Sequence, residues 1–242
     1  MSYYAVTILV AITSMSVLVA GLKYWKRPFI ATDGTVFLVV NAVWQPQASQ
    51  HLFDLFSIQH FQHGLVNGIL GSFLPWLWIQ PHPEVLLSAS LVLAVLWELL
   101  ENNSVGIAYI QTQPLTRLYT GDTTVNALID CLCCVGGTAV VLLVGSITTT
   151  LLVLLGLEVC LIVIGRDSIG LQILQMLCPL PGIVQWQLGY LHGQKVRGWG
   201  RLYPWGGFVR SLLSPIEIEN PPEDPALLDE TQSIVCRLCE TR

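Results

Sequence analysis

The chain has 242 residues, of which 53% are hydrophobic and 11% are charged, and its formal net charge is -5 at pH 7. Soluble domains carry about 25% charged residues, so this composition excludes an ordinary soluble domain and indicates an integral membrane protein. Much of the negative charge lies in the C-terminal tail, and no basic surface is left that could bind nucleic acid. We therefore expect membrane lipids, and not nucleic acid, as partners.

Apolar segments of the roughly 20 residues that a helix needs to cross a bilayer recur along the chain. They lie at residues 4–22, 60–79, 84–101, 123–144 and 148–164. A further segment, 171–186, is interrupted by the prolines of CPLPG, which break a helix, so it is a kinked span or a half-span. The sequence predicts an all-α fold, a polytopic membrane bundle of five or six transmembrane helices.

Two other parts of the chain differ from these spans. The segment GTVFLVVNAVW, residues 34–44, is apolar but about half a span long, so we interpret it as a re-entrant or interfacial piece. Residues 192–215 mix Lys and Arg with aromatic residues, which is typical of a segment at the membrane interface. The division is thus a bundle over 1–191, this interfacial basic-aromatic segment, and an acidic, Pro-rich, disordered tail over 216–242.

Polar residues concentrate at particular ends of the spans. Because neighbouring helices are antiparallel, the start of the second span, the end of the third, the start of the fourth and the end of the fifth must share one membrane face. These four ends carry His60, His63 and Asn67; Glu98, Glu101 and Asn102; Asp122, Asn126 and Asp130; and Arg166 with Asp167. Spacings of three and four put the members of each helical group on one helix face.

Such a set is costly in a bilayer. An ionisable group at mid-bilayer costs at least about 2.5 to 3.5 kcal/mol, so several together must be paired, protonated, metal-bound or hydrated. Asp122 also precedes the fourth span, where its carboxylate is placed to cap the helix. We therefore expect one polar pocket beneath a single leaflet.

The same residues carry a resemblance to a known family. The blocks QASQHLFDLFSIQHFQHG, WELLENN, YTGDTTVNALID and LGLEVCLIVIGRDSIGLQILQMLCPLPGIVQWQ occur in this order over about 45–186. They resemble an alphaproteobacterial integral-membrane family called domain of unknown function 2585. The resemblance implies a polytopic helical membrane protein and supplies no activity. It marks as motif positions Ser49, His51, Asp54, His60, His63, Gly64, Trp97, Glu98, Glu101, Asn102, Gly121, Asp122, Asn126, Asp130, Arg166 and Asp167.

The residue types suggest how such a pocket could work. His60, His63, Glu101 and Asp122 supply N and O ligands for a divalent metal, Zn, Fe or Mn, because helix bundles build metal sites from i, i+3 pairs on facing helices. A bound metal would activate water for attack on a lipid ester or amide. Without a metal, a buried carboxylate beside a histidine could act as general base. Candidate catalytic residues are Glu98, Glu101, Asp122, Asp130 and Arg166.

Other polar residues are candidates for substrate or structural contacts. They are Asn67, Asn102, Asn126, His51 and Asp167. His51, together with Asp54, precedes the second span, so that loop forms either a lid or a solvated connection. The alternative is that the whole set has a structural role. In that case the residues form hydrogen bonds between helices, and the carboxylates pair with Arg117 or Arg166.

Three functions stay open. The chain is an intramembrane enzyme acting on a lipid or lipid-linked substrate, a non-catalytic subunit that binds other membrane subunits through its C-terminal segment, or a small transporter or proton pathway. Beyond Asp130 the fourth span offers Cys, Gly and Val in place of further charges, which argues against the third. The host membrane is a bacterial inner membrane or a mitochondrial inner membrane.

Overall fold

The computed structural model describes residues 3–43, 46–77, 81–111, 116–178, 180–191, 195–203 and 208–218. Its helices are α1 (Tyr3–Tyr24), α2 (Leu55–Phe73), α3 (Pro83–Asn102), α4 (Ser104–Ile110), α5 (Thr124–Val144), α6 (Ile147–Gly165), α7 (Ile169–Leu177), α8 (Pro181–Leu191) and α9 (Phe208–Leu213). A 3₁₀ turn, Leu74–Leu77, follows α2. The strands are β1 (Val36–Val40), β2 (Arg197–Tyr203) and β3 (Ile216–Glu217).

Four of the described helices, α1, α3, α5 and α6, are long and apolar enough to cross a membrane. Helix α2 has 19 residues, a comparable length, but it buries Gln59, His60 and Gln62, which make it more polar. It begins at Leu55, before the predicted start of the second span, because Asp54 caps it. The composition and periodicity therefore predicted a helical membrane protein correctly.

The predicted broken segment is also present. Helix α7 ends at Leu177 and α8 begins at Pro181, so two short helices replace one continuous span. At 9 and 11 residues, each is about half the length needed to cross a bilayer. A proline at the first position of α8 suits a helix start, because its missing N–H would have had no partner there.

Helices α1, α3 and α5 enclose an apolar core. Its buried residues are Leu18, Leu22, Leu91, Ala94, Val95, Ala127, Cys131 and Cys134. The alanines and cysteines are small, so they allow these helices to approach closely. On α3, the buried positions 91, 94, 95 and 98 follow a helical repeat, so Glu98 continues the core face of that helix toward one end of the bundle.

Helices α2 and α5 are in backbone contact. A Cβ atom added at Gly64 would lie 1.8 Å from the carbonyl oxygen of Cys134, and one added at Gly137 would lie 2.1 Å from that of Phe61. No residue larger than glycine fits such an approach without displacing backbone. The Thr138 hydroxyl also donates to Gly64 O across 2.9 Å. This contact fixes the rotation of α2 against α5, and thereby which polar side chains meet.

The segment interpreted as re-entrant or interfacial forms strand β1. It pairs antiparallel with β2, with Val39 opposite Trp199 and Val40 opposite Gly198, and β3 extends the sheet beyond β2. The run VFLVV suits a strand because β-branched and aromatic residues pack well on a pleated surface. Its partner strand lies in the predicted interfacial basic-aromatic segment. The predicted acidic tail begins with β3, and from residue 219 onward it lies outside the described residues.

Candidate functional site

The site begins at the N-terminus of α2. The Asp54 carboxylate accepts hydrogen bonds from the backbone N–H groups of Phe56 and Ser57 at 2.8 and 3.1 Å, which caps the helix. Its other oxygen accepts from Ser49 N at 2.6 Å. Burial raises the pKa of Asp54 to about 6, and these backbone hydrogen bonds oppose that rise. The cap sets the start of α2 and places His60 about one and a half turns into that helix.

Three carboxylates from two other helices surround His60. Glu98 and Glu101 come from the last turn and a half of α3, and Asp130 comes from the second turn of α5. The Nε2 atom of His60 lies 3.5 Å from Glu98 Oε1 and 3.9 Å from Asp130 Oδ2. We call His60, Glu98, Glu101 and Asp130 the acid–histidine cluster. Its members are buried except for Glu101, which is half-buried.

Three members of the cluster have the spacing of metal ligands. One ligand atom each from His60, Glu98 and Glu101 lies within 4.8 Å of the others. Two ligands on a tetrahedral ion, each about 2.05 Å from it, are about 3.4 Å apart, close to the 3.5 Å between His60 Nε2 and Glu98 Oε1. Small movements of the side chains would therefore bring these donors onto one divalent cation.

Two oxygens of the cluster have no hydrogen-bond donor. They are Glu98 Oε1 and Asp130 Oδ1, and both belong to residues that are at most 1% exposed. A buried carboxylate oxygen without a donor is unfavourable unless a cation, a proton or a water molecule satisfies it. Among the described residues, His60 supplies the basic side chain found within 4.0 Å of these two carboxylates. The cluster is thus short of positive charge and of hydrogen-bond donors.

Asp122 lies beside the cluster and is held by hydrogen bonds. Its Oδ2 accepts from Asn102 Nδ2 at 2.5 Å, its Oδ1 accepts from the Tyr119 hydroxyl at 3.0 Å, and its N–H donates to Asn102 Oδ1 at 2.7 Å. Burial raises the pKa of Asp122, and the hydrogen bonds from Asn102 and Tyr119 oppose the rise. Asp122 is not part of the metal-spaced group, and Thr123 caps α5 in its place.

His63, predicted as a metal ligand, lies at the edge of the site. Its ring packs edge to face against His60, with ring centres 5.6 Å apart, and against Trp97 at 5.8 Å. The side chain is half-buried, and Trp97 is half exposed. Of the four residues predicted as ligands, His60 and Glu101 belong to the metal-spaced group, whereas His63 and Asp122 adjoin it and Glu98 completes it.

The loop 46–54, which we call the capping loop, covers the site on the side of β1. His51 within it is 1% exposed, and its Nδ1 accepts a hydrogen bond from Phe37 N at 3.4 Å. Burial lowers the pKa of His51 to about 4, so its imidazole is neutral near pH 7. Asn126 Nδ2 donates to His51 O at 2.9 Å, which ties the loop to α5. The loop is therefore buried and tied to α5, and it is not a solvated connection.

Asn67 lies deeper in the bundle, outside the acid–histidine cluster. Its amide donates to the Ser90 hydroxyl at 3.2 Å and to the Cys134 sulfur at 3.6 Å. The Thr138 and Ser90 hydroxyl oxygens lie at hydrogen-bond distance, 2.8 Å apart, so α2, α3 and α5 share a small uncharged network. This is the interhelical bonding that polar side chains provide in membrane bundles.

Arg166 and Asp167 lie in a different part of the molecule from Glu98 and Glu101. The Arg166 guanidinium stacks 5.0 Å from the centre of the Trp186 ring and donates to Trp186 O at 2.6 Å. Asp167 Oδ2 accepts from Gln59 at 2.9 Å and from Gln172 at 2.8 Å. Burial raises the pKa of Asp167 to about 6. In these contacts Arg166 holds α8 against α6, and Asp167 joins α2 to α7.

The sequence pattern missed several residues of this second network. Gln62 donates to Glu158 Oε1 at 2.9 Å, and Gly170 N donates to Glu158 Oε2 at 3.2 Å. A glutamate inside an otherwise apolar span and glutamines three apart, Gln59 and Gln62, were the available signals. Tyr119 was also missed, because it precedes α5 in a loop whose contact with Asp122 only the fold determines.

Comparison with known proteins gives the family. Residues 22–189 match the family model described as "Protein of unknown function (DUF2585)". The chain belongs to the DUF2585 family. The resemblance inferred from the sequence blocks is thereby confirmed.

Relatives of this DUF2585 member occur in several alphaproteobacteria. A UPF0314 protein of Sphingopyxis alaskensis is 29% identical over 186 residues, which cover 75% of this chain and 94% of the relative. A UPF0314 protein of Brucella anthropi is 27% identical over 75% of this chain and 90% of the relative. The UPF0314 protein of Sinorhizobium fredii is 30% identical over 67% of this chain and 81% of the relative. No solved structure matches the chain.

The DUF2585 match covers the whole acid–histidine cluster, the capping loop and β1. It ends before β2, α9 and β3. Helices α2 to α7 and the polar site therefore lie in the family portion of this chain, whereas most of α1 and the strand that pairs with β1 lie outside the matched region.

Proposed function

We propose that the protein is a metal-dependent membrane enzyme whose centre is the acid–histidine cluster. The observation that carries the proposal is the grouping of His60, Glu98 and Glu101 donor atoms within 4.8 Å, next to carboxylate oxygens that have no donor. One imidazole and two carboxylates on facing helices are a common ligand set for Zn, Fe or Mn in proteins.

The reaction that fits this arrangement best is hydrolysis of an ester or amide in a lipid or lipid-linked substrate. His60, Glu98 and Glu101 would hold a divalent cation, and such a cation would supply a water molecule of lowered pKa as the nucleophile. Asp130, whose Oδ1 has no hydrogen-bond partner, would take the proton from the attacking water and return it to the leaving oxygen or nitrogen. Four apolar helices and the bacterial relatives support a bacterial inner membrane as the location.

The test uses the full chain purified in detergent. Elemental analysis should find a transition metal at near-stoichiometric amount in the wild type, and His60→Asn should lose it. The matched control is His82→Asn, because His82 is exposed and precedes α3 at the other end of that helix. The wild type and the His60→Asn variant are then incubated with a total lipid extract from an alphaproteobacterium, and mass spectrometry measures hydrolysis products.

Two results would overturn the proposal. One is a wild-type protein that neither contains a metal nor binds added Zn, Fe or Mn. The other is a lipid extract that the metal-loaded protein leaves unchanged. Either result favours the accessory-subunit hypothesis, in which the polar cluster serves to hold α2, α3 and α5 together.

A further inference from the structure

We propose that substrate reaches the acid–histidine cluster sideways from the bilayer, between α2 and α3. The opening is formed by His63, Trp97 and Glu101, which we call the α2/α3 seam. The substrate class that fits this route is an amphiphile whose polar group enters the seam while its apolar chain stays in lipid. The substrate assignment rests on the proposed function, whereas the route itself is a property of the bundle.

The aqueous side of the site is closed by the capping loop. Thr123 N donates to Ser49 O at 3.0 Å, and Gln50 Nε2 donates to Gly121 O at 2.9 Å. Gln50 is 8% exposed and Asp122 is 3% exposed, so this layer leaves little room for a solute. A water-soluble substrate would have to break these buried hydrogen bonds to enter through the capping loop.

The other helix contacts around the cluster are also closed. Helices α2 and α5 touch through Gly64 and Gly137, where not even a Cβ atom fits. Helices α3 and α5 pack together in the apolar core, to which α3 contributes Ala94 and α5 contributes Ala127, both nearly or fully buried. Neither contact leaves a passage to the cluster.

The α2/α3 seam differs because its polar residues reach the molecular surface. Trp97 is 50% exposed, and His63 and Glu101 are half-buried. The rings of Trp97, His63 and His60 form a row in space, with neighbouring centres 5.8 and 5.6 Å apart. This row leads from the outer surface to the cluster. Glu101 itself belongs to the metal-spaced group. A polar group placed at the seam would thus lie next to Glu101, which is one of the proposed metal ligands.

The surface around the seam suits an apolar chain. Leu96 and Leu100 on α3 and Val66 on α2 are exposed. Leu100 and Val66 each lie three residues after a seam residue, Trp97 and His63, so they share its side of the helix. Helix α4, which leaves α3 directly after the cluster, exposes Val105 and Tyr109. Exposed apolar residues beside a polar opening match an amphiphile better than a free polar solute.

The route can be tested with two carbodiimides on the full chain in phospholipid vesicles, after metal removal by EDTA. Dicyclohexylcarbodiimide dissolves in the bilayer, and a water-soluble carbodiimide does not. Each adds to a carboxyl group and rearranges to a stable N-acylurea, which peptide mass spectrometry locates. We expect the apolar reagent to label Glu101 at least about tenfold faster, because apolar reagents concentrate in lipid. Glu101→Gln should remove that label.

Two further variants identify the seam as the route. Trp97→Ala removes a half-exposed ring from the opening and should speed the labelling of Glu101. Trp186→Ala, which removes a tryptophan packed on Arg166 elsewhere in the protein, should leave the rate unchanged. Glu158, a half-buried glutamate within α6, serves as an internal reference for reagent that has entered the bilayer.

Equal labelling of Glu101 by both reagents would overturn the proposal, because it would mean that water reaches the site directly. Labelling of Glu158 without Glu101 would also overturn it, because the seam would then be closed to lipid-borne molecules. The measurement uses metal-free protein and reads no activity. A failure of the proposed enzyme function would therefore leave this result intact, and the reverse also holds.

Discussion

The Nε2 atom of His60 on α2 lies 3.5 Å from the Oε1 atom of Glu98 on α3. Neither helix sets this distance alone. Helix α5 contacts both, through the Gly64–Gly137 approach to α2 and through the apolar core that it shares with α3, and it adds Asp130 to the same space. The site therefore depends on three helices being packed correctly.

Metal binding should stabilise the protein through Glu98. A ligand that binds only the folded state, at 100 times its Kd, raises the free energy of unfolding by about 2.7 kcal/mol. Adding Zn²⁺ or Mn²⁺ to EDTA-treated wild type should raise its unfolding temperature, and Glu98→Gln should abolish the rise. Thermal unfolding in detergent measures both. An equal rise in wild type and variant would place the binding site elsewhere.

Asn102 should support the site without binding the metal itself. It donates to Oε2 of the proposed ligand Glu98 at 3.3 Å and exchanges two hydrogen bonds with Asp122, so Asn102→Ala leaves two buried carboxylates short of a donor, at a cost of about 1 to 3 kcal/mol. Loss of such a supporting contact lowers metal affinity by about 10- to 100-fold. Competition with a chelator measures the Kd. The control Asn67→Ala disturbs the deeper network and should destabilise the protein while leaving the Kd unchanged.

Gly64 should tolerate no side chain. Gly64→Ala places a Cβ atom 1.8 Å from Cys134 O, so α2 and α5 must separate, and overpacking of this kind costs about 1 to 3 kcal/mol or more. The matched control is Gly156→Ala in α6, where nothing lies within 4 Å of the added atom. We expect that variant to be neutral or slightly more stable, since alanine favours helix. Denaturant titration compares the two, and equal stability would contradict the close contact.

Asp167 should make stability depend on pH. Burial raises its pKa from 3.8 to about 6, so at pH values between these the folded state holds a proton that the unfolded state has lost. The free energy of unfolding should therefore fall as pH rises from about 4 to about 6, by up to about 3 kcal/mol for this group. Asp167→Asn should remove this part of the fall, while Asp54, whose pKa burial also raises to about 6, keeps its own contribution.

Arg166 should matter for packing and not for the metal site. Its guanidinium stacks on the Trp186 ring, a contact that contributes about 0.5 to 2 kcal/mol. It also donates a hydrogen bond to the backbone oxygen of Trp186. Arg166→Ala should lower the unfolding temperature while leaving the metal Kd unchanged. A large loss of metal affinity in this variant, measured beside Asn102→Ala, would return Arg166 to the catalytic set in which sequence reasoning placed it.

The sequence by itself determined the membrane class, the apolar helices, the broken segment before Pro181 and the shared end at which the polar residues gather. These follow from local composition, from helical period and from the alternation of antiparallel spans. Period tells which face of a helix is polar, but not how that face is turned against its neighbours. The contact at Gly64 decides the rotation of α2, and so turns His60 toward Glu98 while leaving His63 at the edge of the site.

The tertiary structure alone also decided the roles of residues whose partners are distant in the chain. β1 is a strand because β2, far along the chain, pairs with it, and such pairing leaves no local signal. His51 is buried because β1 covers the capping loop. Arg166 lies on Trp186 because α8 folds back after the proline break. In each case the deciding interaction joins segments that no sequence period connects.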